Sequence, residues 1–437
     1  MAGISSFSGL NVSLRALLAE QRSMDVTAHN IANVNTAGYT RQEATLGAAL
    51  PLTLPSGALQ NGSGAQLGQG VDVLAYRRMR DQFGDLQFRA QTMTQGQQET
   101  TARALDQAQS LLSEPGDNGL TAALGKFYSA WQDLADRPES SATRGAVIGR
   151  AQEVVTQLHQ LAAGLTGVQS SAAAQTFQLT GSQGPVANAA AEIAQLNLAI
   201  RQAVGAGQQP NDLLDRRDVL IDGLSKLGQV SVTDLGNGST RIGFGDAAAP
   251  LVDDTTVTWP QPLTSAAGGQ LGALAEIASP AGKVAGYLSD LDAAASALAS
   301  TVNAIHPTAF FSGTTAATIA VAATPSTVVA GTGGAAGAND VALAIGDLRS
   351  SAALGGYADV VRRMGADTAE AERRADTATT LAAAADERRQ SVGGVSMDEE
   401  MTNVVKFQRG YQAASRAMST MDEMLDQLIN RTGRVGL

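Results

Sequence analysis

Residues 7–31 read FSGLNVSLRALLAEQRSMDVTAHNI, and apolar or small residues recur in this stretch at alternating spacings of three and four. Such a heptad seam is typical of a long amphipathic helix that packs along another helix. Residues 407–428 carry a second seam of the same kind. Because an isolated helix is marginal in water, we expect the two ends of the chain to pair with each other or with neighbouring subunits. The alternative is ordinary packing of two helices at the edge of a domain.

The composition favours a mainly helical fold. Of the 437 residues, 44% are hydrophobic but only 4% are aromatic. The apolar residues are therefore mostly Ala, Leu and Val, which suit closely packed helices. At about 150 residues per domain, a chain of this length predicts about three domains. We predict a mainly α, multidomain protein with a small β part, in which one domain is discontinuous because the two ends pair.

The charge and the lack of cysteine exclude several functions. The net charge is −11, the opposite of what a phosphate-binding surface needs, so nucleic acid is not expected as a partner. The chain has no cysteine, which excludes disulfides, cysteine-ligated metals and thiol catalysis. Residues 1–45 carry a net charge of zero and residues 396–437 a net charge of −1, which leaves −10 for the middle of the chain. Near-neutral ends can crowd together in an assembly without strong self-repulsion.

The sequence predicts neither a signal peptide nor a membrane span. Its start lacks a basic segment followed by an apolar one, so we expect no cleavable secretory peptide. No stretch approaches ~18 uninterrupted apolar residues, so we expect no membrane insertion. If the chain leaves the cell, it does so by a route that reads an uncleaved sequence.

Periodicity and turn-forming residues predict the elements of the middle of the chain. Helices are expected at residues 77–112, 120–134, 141–165, 187–204, 211–227 and 284–305. Asn211 is expected to cap the fifth of these helices, because its side chain suits that position. A β-hairpin is expected around Gly236-Asn-Gly, a second β-like stretch at residues 310–337, and helix from residue 340 almost to the end.

These elements group into four predicted parts. They are a terminal helical coiled coil of residues 1–45 and 395–437, an extended linker with short strands at 46–76, an elongated central helical bundle of 77–228 and 268–394, and a small inserted β-rich outer domain of 229–267.

Three acids of the helix at 211–227 could suggest a cation site. Asp215, Asp218 and Asp222 share one face at spacings of three and four. Arg216 and Arg217 lie among them, and cation sites usually add backbone carbonyls from a loop. We therefore interpret this face as a solvated surface of mixed charge and expect no metal.

Enzyme chemistry is poorly supported. His29, His159 and His306 are far apart in sequence and have no metal-ligand spacing. The segment from Gly331 to Ala336 precedes a predicted helix, as a dinucleotide-binding turn would, and Asp359 lies where a ribose-binding acid would be. A dinucleotide fold needs further parallel strands, however, and the chain after this segment has a helical pattern. We interpret the segment as a glycine-rich connection, expect neither catalytic residues nor a cofactor, and keep an enzyme built on it as an alternative.

Both ends of the chain carry recognisable motifs. Residues 28–42, AHNIANVNTAGYTRQ, resemble the N-terminal signature of bacterial flagellar axial proteins, and residues 397–401 and 406–414 resemble the matching C-terminal motif. Ala37 stands where that family often has proline, and His29 where it often has asparagine. Three internal segments are similar to the hook-associated branch of the family: Trp131–Ala135, Ala194–Asn197 and Pro210–Arg217.

The resemblance implies a structural protein of the flagellum that forms the hook–filament junction, as the first ring at the hook tip, and that filament attachment and motility require. It implies a compact member of the family with a reduced outer domain. The implied partners are further copies of this chain, the hook protein below, a second junction protein and the flagellin filament above, and a type III export chaperone at the C-terminal region. The implied location is extracellular. The alternatives are another axial component, such as a hook or distal rod protein, and a helical cytosolic scaffold.

The residues expected to function are interface residues. The seams should form the inner tube of the assembly, and a group of turn residues should set the sharp exit from it. We also expect both terminal segments to be disordered in the free monomer and to order on assembly. The predicted interface comprises Phe7, Leu10, Leu14, Leu17, Met24, Ile31, Asn33, Asn35, Gly38, Tyr39, Phe407, Tyr411, Met418, Met421, Leu425 and Leu428.

Overall fold

The computed structural model describes residues 8–54, 65–114, 116–335, 337–350 and 352–427. Helices dominate these residues, which confirms the predicted fold class. The helices are α1 (Ser8–Ala32), α2 (Gln82–Ser110), α3 (Leu120–Asp136), α4 (Ser141–Thr180), α5 (Pro185–Gly205), α6 (Asn211–Leu227), α7 (Gly269–Ala278), α8 (Lys283–Ile305), α9 (Asp340–Asp347), α10 (Ala352–Gly393) and α11 (Met397–Asp426). Within the described part of the chain, no helix is both long and apolar enough to cross a membrane.

The strands form four small antiparallel sheets. The strands are β1 (Gln42–Ala48), β2 (Leu52–Leu54), β3 (Ala65–Leu67), β4 (Val71–Arg78), β5 (Val230–Asp234), β6 (Thr240–Phe244), β7 (Val252–Asp253), β8 (Thr256–Val257), β9 (Phe311–Ser312) and β10 (Ala320–Val321). β1 pairs with β4, β2 with β3 and β9 with β10, while β5 to β8 form one sheet in chain order. The predicted hairpin around Gly236 is confirmed as β5 and β6. The β-like stretch at 310–337 contributes only β9 and β10, of two residues each, and is otherwise loop.

The first and last helices pack along each other. The Glu20 carboxylate lies over Gly410, so that a β-carbon there would be 2.6 Å from it. Nearer the other end of the pair, the Asn30 amide donates to Glu400 at 3.2 Å. Because the contact position in α11 falls as that in α1 rises, the two helices are antiparallel.

The most buried residues of α1 are small or polar. The fully buried residues of α1 are Ser13, Ala19, Ser23, Thr27 and Asn30. The predicted seam residues Leu10 and Leu17 are only half-buried, and Leu14 is 41% exposed. On α11 the described members of the predicted seam, up to Leu425, are half-buried, and Met421 lies against Gly9 of α1. Within one chain, therefore, α11 leaves part of the apolar surface of α1 open.

The largest core lies in the central bundle. α10 runs along α2, and α3, α4, α8 and α9 complete the packing. Phe127, Tyr128, Trp131, Phe310 and Phe311 form a fully buried aromatic cluster, with ring centroids of Phe310 and Phe311 4.9 Å apart. α4 is longer than predicted, since it continues to Thr180 rather than ending at residue 165.

A second core joins α5 and α6 to the four-stranded sheet. Buried Ile193 and Ile221 from these helices pack with Ile242 and Phe244 of β6. The sequence analysis assigned α5 and α6 to the bundle, so the small β part has a larger helical component than expected.

Candidate assembly site

The chain leaves the terminal helix pair through a tight turn at residues 33–38. Asn33 donates its amide to the His29 carbonyl at 3.0 Å and accepts from the Thr36 hydroxyl at 3.1 Å, which fixes the end of α1. Gly38 follows with a φ of +75°, a left-handed conformation that favours glycine. The Val219 side chain occupies the space that a β-carbon at Gly38 would need, so this glycine also allows the turn to approach α6.

Asn30, which precedes the turn, is hydrogen-bonded to Tyr39 and Gln42, which follow it. Its side-chain oxygen accepts from the Gln42 backbone amide at 3.0 Å and from the Tyr39 hydroxyl at 2.8 Å. Its side-chain nitrogen donates to the Gln42 carbonyl at 2.9 Å and to Glu400 at 3.2 Å. The oxygen and the nitrogen of this buried side-chain amide thus each make two hydrogen bonds, as expected of a buried polar group. Burial, reinforced by nearby carboxylates, raises the pKa of Tyr39, so its hydroxyl is protonated and donates at neutral pH.

The C-terminal helix is attached to the same turn through a buried carboxylate. The Glu400 side chain is only 1% exposed. It accepts from Arg41 Nε at 2.7 Å, in addition to the bond from Asn30. Arg41 also pairs with Glu399 at 3.1 Å and donates its backbone amide to the Gly393 carbonyl at 2.8 Å. A buried charge is stable only when it is paired and hydrogen-bonded, and these bonds meet that requirement.

The turn is fixed to α6 through the start of that helix. Gln42 donates to Asp212 at 2.9 Å and accepts from the Asn211 side chain at 3.0 Å. Asn211 also donates to the Tyr76 carbonyl at 2.9 Å. The prediction that Asn211 caps α6 was wrong: Pro210 is the capping residue, and the Asn211 side chain is turned toward β1 and β4. Sequence signals for a cap cannot distinguish these uses, because both need a short polar side chain.

The acidic face of α6 is not a solvated surface, so that interpretation was wrong. Asp215 is buried; it accepts from the Thr40 backbone amide at 3.0 Å and from Arg78 at 2.8 Å. The same Arg78 nitrogen donates to Asp218 at 2.9 Å. Asp215 and Asp218 instead face Thr40 and Arg78, where β4 approaches α6.

Further arginines complete this ion-pair cluster. Arg80 pairs with Asp218, Arg89 donates to Asp222 at 2.7 Å, and Arg389 of α10 pairs with the same Asp222. All five side chains are at most 22% exposed. Breaking one partner of such a pair typically costs about 3–5 kcal/mol. Among the described residues no group of acids and histidines could hold a metal ion, and arginines supply the positive charge that a cation would bring.

A cleft of about 530 Å³ lies beside the cluster. Its walls are the turn at residues 33–41, Val219 of α6 and the connection 389–396 between α10 and α11. These walls belong to both the terminal pair and the rest of the chain, so the cleft lies where the two meet. We call the turn, the ion-pair cluster and this connection the elbow.

The predicted interface residues lie along the terminal pair and its turn. Leu14, Asn35 and Gly38 are exposed, while the other members that the structure describes are half-buried. Met421 packs directly over Gly9, and His29 contacts the Tyr39 ring edge-on, with centroids 5.5 Å apart. Phe7 and Leu428 lie outside the described residues. The half-buried members are Leu10, Leu17, Met24, Ile31, Asn33, Tyr39, Phe407, Tyr411, Met418, Met421 and Leu425.

The sequence analysis missed most of the elbow residues. Glu400 and Arg41 belong to motifs quoted for their resemblance, yet neither was expected to act. Arg78, Arg80 and Arg89 recur over a short stretch, a signal of a basic surface that could have been matched to the acids of α6.

The glycine-rich segment that begins at Gly331 is a loop closed by hydrogen bonds between Thr332 and Asp340. Asp340 accepts from the Thr332 backbone amide at 2.8 Å and from its hydroxyl at 2.7 Å, and these bonds lower the pKa of Asp340. In the described residues no strand directly precedes Gly331. His306 is buried nearby, where Nδ1 lies 2.6 Å from the Thr308 carbonyl and Nε2 accepts from the Val329 amide at 3.0 Å.

Family models match three parts of the chain. Residues 10–40 match a model described as flagella basal body rod protein, and residues 389–431 match the C-terminal model of the flagellar basal body rod FlgEFG proteins. Both matches cover terminal helices that meet at the elbow, and both models describe proteins of the flagellar basal body rod. Residues 105–259 match the helical domain of the flagellar hook-associated protein FlgK.

Similar proteins have the same name in several bacteria. Flagellar hook-associated protein 1 of Bacillus subtilis (strain 168) is 29% identical over an alignment of 510 residues, covering 98% of this chain and 99% of that protein. The protein of that name from Salmonella typhimurium is 33% identical over 51% of this chain and 39% of its own length, and that from Escherichia coli K12 is 32% identical over 53% and 41%. The chain thus spans about two fifths of the length of the last two. The solved flagellar hook junction protein FlgK from Burkholderia pseudomallei covers 50% of this chain and 43% of its own, with 23% identity and a TM-score of 0.45.

These matches confirm the resemblance to the flagellar hook-associated protein 1 family that the motifs indicated. This is a family of structural proteins of the flagellum and not a family of enzymes.

Proposed function

We propose that this chain is a structural subunit of the hook–filament junction, whose copies assemble as a ring at the hook tip through their paired terminal helices. One observation carries the proposal: the similarity to flagellar hook-associated protein 1 of Bacillus subtilis extends over 98% of the chain, including both terminal helices. The partly open apolar surface of those helices supports a role in assembly, because an apolar face left open on a soluble chain marks an interaction surface.

The elbow gives this subunit a stiff connection between its assembling part and its outer part. The terminal pair is joined to α6 and α10 through Thr40, Gln42 and the Arg41 backbone amide, and the ion-pair cluster on α6 holds β4, α2 and α10 together. Most of these bonds involve charged groups shielded from water, where such bonds are stronger than at a surface. A subunit between a rotating hook and a filament has to transmit force, and a desolvated network between its terminal pair and the rest of the chain serves that purpose.

The proposed partners are the hook protein below, and a second junction protein and the flagellin filament above. We further propose that the chain is exported to the cell exterior without a cleavable signal peptide and that an export chaperone covers its C-terminal region beforehand. Exposed apolar residues of α11 support the chaperone: Met397, Met401, Val405 and Met424 would otherwise face water before assembly.

Electron microscopy of cells that lack this protein tests the proposal. We expect complete hooks without filaments, with flagellin shed into the medium, and recovery of filaments when the wild-type chain is supplied. Missing hooks would favour the second candidate, a hook or distal rod component, which the rod-type models at both ends support. Normal flagella in the deleted strain would contradict both.

A further inference from the structure

Three asparagines of the chain, Asn61, Asn118 and Asn237, are each followed directly by glycine. Such a pair can cyclise, because glycine has no β-carbon to keep its backbone nitrogen away from the side-chain amide of the asparagine. Asn61 lies outside the described residues. Asn118 lies just before α3, and Asn237 lies in the hairpin loop between β5 and β6. The surroundings of these last two asparagines differ in ways that bear on this reaction.

The side-chain oxygen of Asn237 accepts two hydrogen bonds. Its Oδ1 lies 2.9 Å from the Ser239 backbone nitrogen and 2.6 Å from the Ser239 hydroxyl. Ser239 is fully buried, so both donors are held in place, whereas Asn237 is exposed and its amide nitrogen can leave into water. When a nucleophile adds to a carboxamide, negative charge develops on the oxygen, and donors already aimed at that oxygen stabilise the transition state.

The nucleophile at this position is the backbone nitrogen of Gly238. Among the residues that the structure describes, its N–H has no acceptor that would compete for the proton. Arg217 donates to the Gly238 carbonyl at 2.8 Å. The positive charge of a guanidinium at this distance favours the deprotonated, nucleophilic form of the neighbouring amide. Both reacting groups of the Asn237–Gly238 pair are therefore activated by their surroundings.

The same dipeptide at Asn118 has a different environment. The Gly119 amide donates to the Gly116 carbonyl at 3.3 Å. The Glu114 carboxylate occupies the space that a β-carbon at Gly119 would need, and its negative charge opposes deprotonation of that amide. Gly119 is also the capping residue of α3, whose first residue, Leu120, is buried. Asn118 therefore provides an internal comparison for Asn237.

We propose that Asn237 is a site of spontaneous deamidation in the folded chain. Hydroxide removes the Gly238 amide proton, and the nitrogen forms a bond to Cγ of Asn237. The bond between Cγ and Nδ2 then breaks, and ammonia leaves with a proton from water, which regenerates hydroxide. Water opens either C–N bond of the resulting five-membered imide and leaves aspartate or isoaspartate at position 237. The reaction consumes only water, so it is independent of the proposed function.

The isoaspartate product changes the hairpin, because it adds a methylene group to the main chain. Asn197 of α5 donates to the Thr240 carbonyl at 2.9 Å and thereby holds the start of β6. A longer main chain at position 237 displaces the buried residues Ser239 and Thr240 that follow it. Isoaspartate therefore loosens the contact between β6 and α5, whereas aspartate keeps an oxygen that can accept both bonds from Ser239.

Peptide mapping by mass spectrometry tests this site. The purified full-length chain would be incubated at mildly alkaline pH, both folded and in denaturant, and deamidation at Asn118 and Asn237 would be followed in the same samples. We expect Asn237 to react faster than Asn118 in the folded chain, and the ratio of the two rates to fall in denaturant. S239A removes the hydroxyl donor but keeps the backbone donor. It should slow Asn237 by about 2- to 13-fold, the factor that corresponds to one hydrogen bond, and leave the rate at Asn118 unchanged.

A rate at Asn237 equal to or below that at Asn118 in the folded wild-type chain would overturn the proposal. So would a ratio of the two rates that is the same in the folded chain and in denaturant. These comparisons use the wild-type chain and therefore hold even if S239A does not fold. In a folded S239A chain, an unchanged rate at Asn237 would show that the Ser239 hydroxyl does not activate the amide, and would overturn the mechanism.

Discussion

Replacing Glu400 by glutamine is the sharpest test of the elbow. One carboxylate oxygen accepts from Arg41 at 2.7 Å and the other from Asn30 at 3.2 Å. Glutamine keeps the shape but has one acceptor and one donor, so one of these two donors must face an NH₂ group. Losing a hydrogen bond that involves a charged group costs about 1.5–3 kcal/mol, and the buried donor left without a partner places the loss near the upper end. We expect E400Q to weaken the attachment of α11 by about 2–3 kcal/mol.

The neighbouring carboxylate provides a matched control. Glu399 also pairs with Arg41, at 3.1 Å, but its side chain is 63% exposed. An exposed pair contributes only about 0–1 kcal/mol, so E399Q should have little effect.

Hydrogen exchange of the purified full-length chain would measure both variants. A loss of 2–3 kcal/mol corresponds to an increase of about 30- to 150-fold in local opening, which should appear in the amides around residues 396–404 and 39–42. Equal effects of E399Q and E400Q, or none from E400Q, would refute the reasoning that the buried carboxylate holds the two ends of the chain together.

Three further outcomes are expected. Leu14→Asp should abolish incorporation into flagella while circular dichroism of the purified chain stays unchanged, because Leu14 is 41% exposed in one chain; full incorporation would contradict the predicted interface. Gly38→Ala should destabilise the elbow by about 1–2 kcal/mol, since φ is positive there. Gly167→Ala, in open space within α4, should instead raise the free energy of unfolding by about 0.5–1 kcal/mol. Denaturant titration that gave changes of the same sign for both variants would contradict the left-handed role of Gly38. Limited proteolysis of the monomer should cut α1 and α11 far from the elbow first, because Glu400 is the only residue of α11, among those described, that is fully buried; ends that resist cleavage throughout would contradict disorder of these outer parts before assembly.

Much of the fold could be predicted from periodicity, but the position at which a helix ends and the side on which it packs could not. α4 was expected to stop at residue 165 because its apolar stripe gives way there to Ser170, Ser171 and alanines, yet the helix continues to Thr180. The heptad pattern of α1 identified a helix but not the side that meets α11. Gly9, Glu20 and Asn30 of α1 contact α11, and such small or polar residues contribute little to a hydrophobic pattern.

The contacts within the elbow were harder to predict from the sequence. The three acids of α6 look alike in a helical projection whether they face water or arginines. Their partners Arg78 and Arg389 lie in distant segments of the chain, so only the tertiary fold shows that the face is desolvated. The turn was predictable because its chemistry is local: Gly38 adopts the left-handed conformation that its position after Asn33 and Asn35 indicated.

The bond between Asn30 and Glu400 spans 370 residues of sequence, and this has a consequence for the order of events during secretion. A chain that crosses a narrow channel as an extended thread emerges gradually, and whichever end leads, these two residues are outside together only when nearly all of the thread has passed. On the outer side, the elbow therefore cannot form until nearly the whole chain has passed. Its formation marks the moment at which the subunit is complete and ready to be incorporated.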